Sequence, residues 1–354
     1  MIFRQLFDSP TSTYSYLLAD PVTREGVLID SVFEQYSRDL ALVRELNIKL
    51  KLILDTHVHA DHVTGAWLMQ QAVGSEIALS ANSGAQNMDR ALEDGDMLNL
   101  GGLEIEVRTT PGHTSGCLSY YLPKEKMIFT GDALLIRGAG RTDFQEGDAA
   151  QLFKSVREKI LSLEDEVVIY PGHDYSGRTS TTVAEEKLHN PRLGQSVREQ
   201  DFVGYMDNLK LPHPNRLEIA VPANLQLGKP EQPLDAEGAL SWAPVIRTYA
   251  GVLQIEPEWV RDHLDDLLIL DVREQGEIDA SPMKALEGAQ AAPLSTLRET
   301  AASFPTDKPI VTICPAGARS AMAATILEQA GIERVANLRG GILEWHSQGY
   351  SSKG

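Results

Sequence analysis

A chain of 354 residues, 42% hydrophobic and 23% charged, has the length for two or three domains and the composition of an ordinary globular protein. Its formal net charge of -18 opposes nucleic acid and anionic membrane as partners, because either needs a basic face. No apolar run approaches membrane-spanning length, and the start, Met1 to Asp8, has neither a secretory apolar core nor an arginine-rich targeting helix, so the expectation is a cytoplasmic protein.

In chain order, Tyr14 to Leu18, a turn at Asp20-Pro21 and Gly26 to Asp30 predict a hairpin that opens a sheet. Gln35 to Leu46 predicts an amphipathic helix, with Leu40, Leu42, Val43 and Leu46 on one side. Leu52 to Leu54 then reads as a strand buried on both faces. It runs straight into His57, His59, Asp61 and His62, three imidazoles and a carboxylate whose alternate spacing lets one short loop aim at one or two metal ions. Val63 to Val73 predicts a helix ending at Gly74.

Three later segments repeat this grammar, each an apolar strand that breaks at glycine and then offers a ligand: Pro111-Gly112-His113, Gly131-Asp132 and Pro171-Gly172-His173. Ligands delivered from several strand ends are what a rigid metal centre needs. The residues alone leave two arrangements open. His57, His59 and His113 holding one ion, with Asp61, His62 and His173 holding another and Asp132 between them, would make a dinuclear hydrolytic site. The other arrangement is a single ion on a smaller set. Cys117 precedes the strand Leu118 to Leu122 without a neighbouring cation and reads as a buried structural thiol.

Prolines 230, 233, 244 and 257 predict an irregular linker over residues 229–255. A second α/β unit over 256–354 follows. It has a strand at Leu267 to Leu270 before Asp271-Val272-Arg273, a strand at Pro309 to Ile313, and a helix from Ser320 to Ala330 stopped by Gly331. Between the last two, Cys314-Pro315-Ala316-Gly317-Ala318-Arg319-Ser320 places a thiol beside backbone N–H groups and a helix N-terminus. Arg319 is expected to add positive charge, so Cys314 reads as a thiolate nucleophile. The two cysteines are far apart and no disulfide is expected.

The set His57-x-His59-x-Asp61-His62, His113, Asp132 and His173 resembles the metallo-β-lactamase fold, an αββα sandwich. The flanking text, Thr56 to Gly65, Pro111 to Cys117, Gly131 to Arg137, Tyr170 to Tyr175 and Asn190 to Leu193, resembles the persulfide dioxygenases of the ethylmalonic-encephalopathy type over residues 1–228. The Cys314 loop, Asp271-Val272-Arg273 and Leu338 to Trp345 resemble a single rhodanese domain, a sulfurtransferase, although Glu287 to Gln290 replaces the usual His-Ile-Pro and predicts altered packing there.

The first resemblance implies one Fe(II) per chain on His57, His113 and Asp132, with His59, Asp61, His62 and His173 orienting those ligands. It also implies that dioxygen oxidises glutathione persulfide to sulfite and glutathione. Glutathione carries two carboxylates, so Arg141 and Arg178 are candidates to receive it, with Tyr175 as a hydrogen-bond donor near the metal. The second resemblance implies sulfur transfer between thiosulfate and glutathione through a Cys314 persulfide. The competing readings are a dinuclear glutathione thioester hydrolase of the glyoxalase II kind, which would carry a helical C-terminal domain instead, and a non-catalytic sulfur-binding module, which intact nucleophile and ligand sets oppose. A homodimer is the default oligomer.

Overall fold

The computed structural model describes residues 1–209, 216–229 and 242–350. By internal contacts the chain divides into two compact units, Met1–Glu231 and Gln232–Gly354.

The first unit contains two six-stranded sheets. One comprises β1 (Ile2–Asp8), β2 (Thr13–Ala19), β3 (Glu25–Ile29), β4 (Lys49–Leu54), β5 (Glu76–Ser80) and β6 (Arg90–Leu92), in that spatial order. Its helices are α1 (Tyr36–Glu45) and α2 (Ala66–Val73). The expected hairpin is β2–β3, with Leu17 opposite Leu28, and its turn is tied by the Asp20 carboxylate, which accepts from the Val22 and Thr23 amides. It does not open the sheet, because β1 pairs antiparallel with β2 outside it. Helix α2 begins at Ala66, not Val63, since Thr64 is engaged in a bridge to Val32; its end at Gly74 (φ +71°) is as expected.

The other sheet orders β12-β11-β10-β9-β8-β7, from β7 (Met97–Leu100), β8 (Leu103–Thr109), β9 (Leu118–Leu122), β10 (Met127–Gly131), β11 (Val168–Pro171) and β12 (Thr181–Thr182). The helices α3 (Ala149–Ser155), α4 (Val183–His189), α5 (Glu199–Asp207) and α6 (Leu217–Asn224) complete the unit.

Period-two alternation explains the layering. Tyr16, Leu18, Leu52 and Leu54 face Ile105, Val107, Tyr120 and Phe129 in a core between the sheets. The alternate residues Leu17, Ala19 and Ile53 turn outward onto Leu40, Val43 and Met69 of α1 and α2. On the far side Ile128 and Ile169 meet Leu152, Val183 and Phe202 of α3, α4 and α5. This is the expected αββα sandwich, and it leaves the ends of β4, β8, β10 and β11 to carry the polar loops.

In the second unit, one sheet orders β13 (Ile246–Arg247), β14 (Leu253–Ile255), β18 (Val335–Leu338), β17 (Ile310–Ile313), β15 (Leu268–Asp271) and β16 (Gln290–Ala291). Its helices, in chain order, are α7 (Pro257–Asp262), α8 (Gln275–Ala280), α9 (Leu297–Thr300), α10 (Ala318–Gln329) and α11 (Gly341–Ser347). Apolar clusters cover both sheet faces, as a parallel sheet of this kind requires. Residues 230–241 of the expected linker lie outside the described residues. Residues 246–255 are not irregular: a turn at Thr248–Val252, with Gly251 at φ +85°, folds them into an antiparallel pair that joins the sheet beside β18. The stretch replacing His-Ile-Pro turns at Gly288 (φ +75°) and feeds β16, a two-residue exposed edge strand.

Candidate functional site

Four strand ends deliver the metal-ligating side chains. The β4 end leads to His57, His59, Asp61 and His62, the β8 end to His113, the β10 end to Asp132 and the β11 end to His173. Gly131 (φ +49°) is required where β10 turns, because a Cβ there would stand 2.5 Å from Thr56 Oγ1. His57, His59, His62, His113 and His173 are all buried.

The hydrogen bonds decide which ring nitrogen of each histidine faces inward. Thr56 Oγ1 donates its one proton to Asp30 Oδ2 (3.0 Å), so it accepts from His57 Nδ1 (3.0 Å). His113 Nδ1 donates to the Arg141 carbonyl at 2.6 Å, since a carbonyl can only accept. Both rings therefore keep a bare Nε2, and burial, with His59 and His113 beside it, holds His57 well below the ordinary histidine range and neutral. Asp132 places Oδ2 3.7 Å from His113 Nε2, and the donor atoms of His57, His113 and Asp132 lie within 4.8 Å of one another. Two bare imidazole nitrogens and a carboxylate oxygen, each backed by a partner on its other atom, fit a divalent transition metal.

The remaining four expected residues lie beside this set, and the donor atoms of His59, Asp61 and His62 likewise fall within 4.8 Å of one another. Asp132 Oδ1 is 2.7 Å from His173 Nδ1, and His173 Nε2 is 3.0 Å from Asp61 Oδ2. Carboxylates only accept, so both His173 nitrogens donate and neither keeps a lone pair. Despite the upward push of burial, His173 holds Asp132 well below the usual carboxylate range. His62 Nδ1 lies 3.0 Å from Asp61 Oδ2, and His59 Nε2 3.1 Å from Asp30 Oδ1. Burial opposes charging His59, but Asp30 raises it to about 9. His59 Nδ1 and His62 Nε2 are buried with no hydrogen-bond partner among the described residues, and His59 Nδ1 stands 4.0 Å from Asp61 Oδ1.

Asp30 and Asn224 escaped the sequence reading. The Asp30 carboxylate accepts from the Thr56 amide (2.6 Å) and hydroxyl, as well as facing His59, and so anchors the whole ligand loop. Asn224 Nδ2 donates to the His59 and His62 carbonyls while its Oδ1 accepts from the Thr64 amide. The signal for Asp30 was a carboxylate closing an apolar strand; the signal for Asn224 was an amide ending the last helical stretch before the linker.

A cavity of about 810 Å³ opens over His57, His113, Asp132 and His173. Arg141, Tyr175 and Arg178, the expected substrate contacts, line it, and both arginines have carboxylate partners. The Arg141 guanidinium pairs with Asp143 through two 2.6 Å bonds and lies over the Phe144 ring, so Arg141 serves the metal loop through its carbonyl. Arg178 pairs with Asp174 at 2.9 Å. Tyr175 is 74% exposed, its ring parallel to His173 at 6.0 Å, and its hydroxyl has no protein partner among the described residues. Arg192 also lines the cavity; it lies over Tyr205, reaches the Ala139 carbonyl and has no carboxylate partner among the described residues.

In the second unit Cys314 directly follows β17, and its Sγ accepts from the Gly317 amide (3.2 Å), the Ser320 amide (3.4 Å) and the Ser320 hydroxyl (3.2 Å). Burial alone would raise this thiol, but those bonds bring it below the ordinary cysteine value. Arg319, expected to add positive charge there, lies close enough to interact with Cys314, and its guanidinium also forms a two-point pair with Glu277 at 2.6 and 2.9 Å. Cys117, by contrast, is pushed up to about 12 by burial.

The chain is similar in sequence and fold to known proteins. Residues 8–173 match the metallo-beta-lactamase superfamily model and residues 256–348 the rhodanese-like domain model. Over 229 residues the chain is 49% identical to the mitochondrial persulfide dioxygenase ETHE1 of Bos taurus, covering 64% of this chain and 89% of that one. The crystal structure of ETHE1 from Myxococcus xanthus superposes with a TM-score of 0.63 at 48% identity, over 65% of this chain and all of that one. A metallo-beta-lactamase from Staphylococcus aureus shares the fold over 96% of this chain and 98% of its own, with a TM-score of 0.61 at 23% identity. Among the described residues no helix is long and apolar enough to cross a membrane.

Proposed function

The chain belongs to the ETHE1-type persulfide dioxygenase family of the metallo-β-lactamase superfamily and carries a rhodanese-like domain, and from that premise we propose a two-step sulfur enzyme. In the first unit, one Fe(II) held by His57, His113 and Asp132 serves the oxidation of glutathione persulfide, in which persulfide, dioxygen and water give glutathione, sulfite and two protons. The observation that carries this reading is the fate of His173: with both ring nitrogens spent on Asp132 and Asp61, it supports a donor set of two histidines and one carboxylate over a second complete ion site. Iron bound there would supply the redox chemistry that zinc lacks.

The residues around it bind and orient. His113 and His57 are aimed by the Arg141 carbonyl and Thr56, and Asp132 is held by His173. The cavity receives glutathione. Arg192, which has no competing carboxylate among the described residues, is the best-placed cation for one of its carboxyl groups, while Arg141 and Arg178 bring partners that a substrate would have to displace.

In the second unit, the Cys314 thiolate attacks the outer sulfur of thiosulfate, the S–S bond breaks and sulfite leaves with the bonding pair. Glutathione thiolate then takes the outer sulfur and returns Cys314 to the thiolate. The product is the substrate of the first unit, and tethering the two raises its local concentration.

Metal analysis beside oxygen uptake tests the first half: about one iron per chain, with uptake and sulfite release on glutathione persulfide, is expected. Two zinc ions, no uptake and cleavage of a glutathione thioester would replace it with the dinuclear hydrolase reading, for which the unpartnered His59 Nδ1 and His62 Nε2 would then be the added ligands. For the second half, Cys314→Ser abolishes thiosulfate-dependent uptake and spares uptake on supplied persulfide; loss of both would defeat the division of labour.

A further inference from the structure

The loop that cradles Cys314 has three arginines around it, and each is already matched. Arg273, buried beside the strand end, pairs with Asp271 at 2.6 Å. Arg339, next to Gly340 and Gly341 against the loop, pairs with Glu256 at 2.7 Å and approaches Glu344 at 3.8 Å. Arg319, in the first turn of α10 beside the loop, is held by both oxygens of Glu277. An exposed ion pair alone would be weak evidence, because such pairs are worth little in water. Glu277, however, is fixed independently of Arg319. Its Oε2 accepts the Glu274 amide at 3.0 Å, closing a reciprocal cap at the start of α8, and Glu274 in turn accepts from the amide and hydroxyl of Ser295. The carboxylate therefore stands at the loop mouth by construction, and its hydrogen bonds with Arg319 bring it down to about 2.

We infer that Glu277 is a specificity-determining residue of the Cys314 site: by holding the Arg319 guanidinium in a two-point pair, it lowers the loop's preference for doubly charged sulfur donors relative to singly charged ones. The backbone amides and Ser320 remain to stabilise the thiolate, so nucleophilicity is kept while the cation that would attract an anionic donor is cancelled. A sulfonated donor such as thiosulfate, with two charges, feels this more than a thiol persulfide, with one at the reacting end. Restoring one unit of positive charge about 7 Å from an incoming anion in water favours that anion by about threefold per negative charge. The inference rests on Cys314 being the sulfur-accepting thiol, and its test is chosen to judge Glu277 separately.

In the full chain, Cys314 alkylation by iodoacetate (charged) and iodoacetamide (neutral) is followed by mass spectrometry in wild type and Glu277→Gln. Gln keeps an oxygen to accept the Glu274 amide, so the cap persists. The iodoacetate-to-iodoacetamide rate ratio should rise about threefold in Glu277→Gln and fall back toward wild type in high salt. Glu277→Ala, which also gives up the cap, should raise it equally, and Glu277→Asp, which keeps the charge, should leave it unchanged. The thiosulfate-to-persulfide ratio of kcat/KM at Cys314 should move by the same factor. An unchanged or lowered alkylation ratio in both Glu277→Gln and Glu277→Ala overturns the inference. Thiosulfate turnover that survives Cys314→Ser instead overturns the sulfurtransferase reading, and the alkylation ratio still decides the role of Glu277.

Discussion

Gly140→Ala is the sharpest perturbation of the proposed metal site, because a single methyl group meets atoms of two of the three residues proposed to hold the ion. The Gly140 amide donates to the Asp132 carbonyl at 2.9 Å, and the next residue's carbonyl receives His113 Nδ1. A Cβ on Gly140 would stand 2.1 Å from the Asp132 carbonyl oxygen and 3.0 Å from His113 Nδ1. The first contact falls about 1 Å short of an ordinary one and involves backbone, so no side-chain rotation relieves it. The shift must pass into the Asp132 segment, the Arg141 carbonyl or both. Overpacking of this kind costs about 1–3 kcal/mol, and losing the partners that aim metal ligands typically weakens metal binding about 10- to 100-fold. Chelator competition with metal content by mass spectrometry reads the second effect, and denaturant unfolding of the apoprotein the first. Gly204→Ala is the control: it sits in α5 with nothing within 4 Å of its added Cβ, and should leave metal retention intact. Wild-type metal retention in Gly140→Ala, or equal loss in Gly204→Ala, refutes the argument.

Other perturbations test the network more locally. Ser320→Ala removes one of three hydrogen bonds to the Cys314 sulfur, worth about 1.4 kcal/mol to a thiolate, so the pH midpoint of iodoacetamide alkylation should rise by about one unit and the rate at pH 7 should fall. An unmoved midpoint would mean that the amides alone set the thiol. Thr13→Val cuts the hydroxyl contacts to His173 Nε2 (3.0 Å) and Asp61 Oδ2 (3.2 Å), and should cost about 1–3 kcal/mol in unfolding with little change in shape. Asp39 is raised to about 6 by burial, partly opposed by Arg38. A folded-state value above the unfolded one means that its contribution is fully present below pH 3.8 and lost as pH rises through about 6. Asp39→Asn should therefore gain stability over wild type between pH 4 and 7, by up to about 3 kcal/mol, and parallel stability curves over that range would show that Asp39 is not the titrating group.

Strand ends followed by a ligand, after a glycine for His113, Asp132 and His173 and directly through Asp55-Thr56 for His57, are local patterns, and this is why these residues could be picked out from the chain alone. Each depends on an apolar run of strand length and a residue that tolerates a sharp turn, and neighbours in sequence supply both. The same locality made Cys314 legible, since a thiol between a buried strand and a helix start is placed by its own loop. The irregular reading of residues 246–255 failed for the opposite reason: two short strands there are stabilised by pairing with each other and with β18, eighty residues away in sequence, and proline spacing carries no trace of that.

The order of residues was enough to expect a histidine–carboxylate metal centre and a thiol in an amide-lined loop, each on an α/β frame. The partners of those groups follow from packing. Which nitrogen of each histidine is bare depends on Thr56, Asp30 and the Arg141 carbonyl; that His173 is spent on two carboxylates depends on Asp61 and Asp132; and that Arg319 pairs with Glu277 depends on a helix about forty residues earlier. A side chain's identity is written in its codon-by-codon order, but hydrogen bonds and ion pairs are settled by distances of about 3 Å, and those exist only once separate strands and helices have packed.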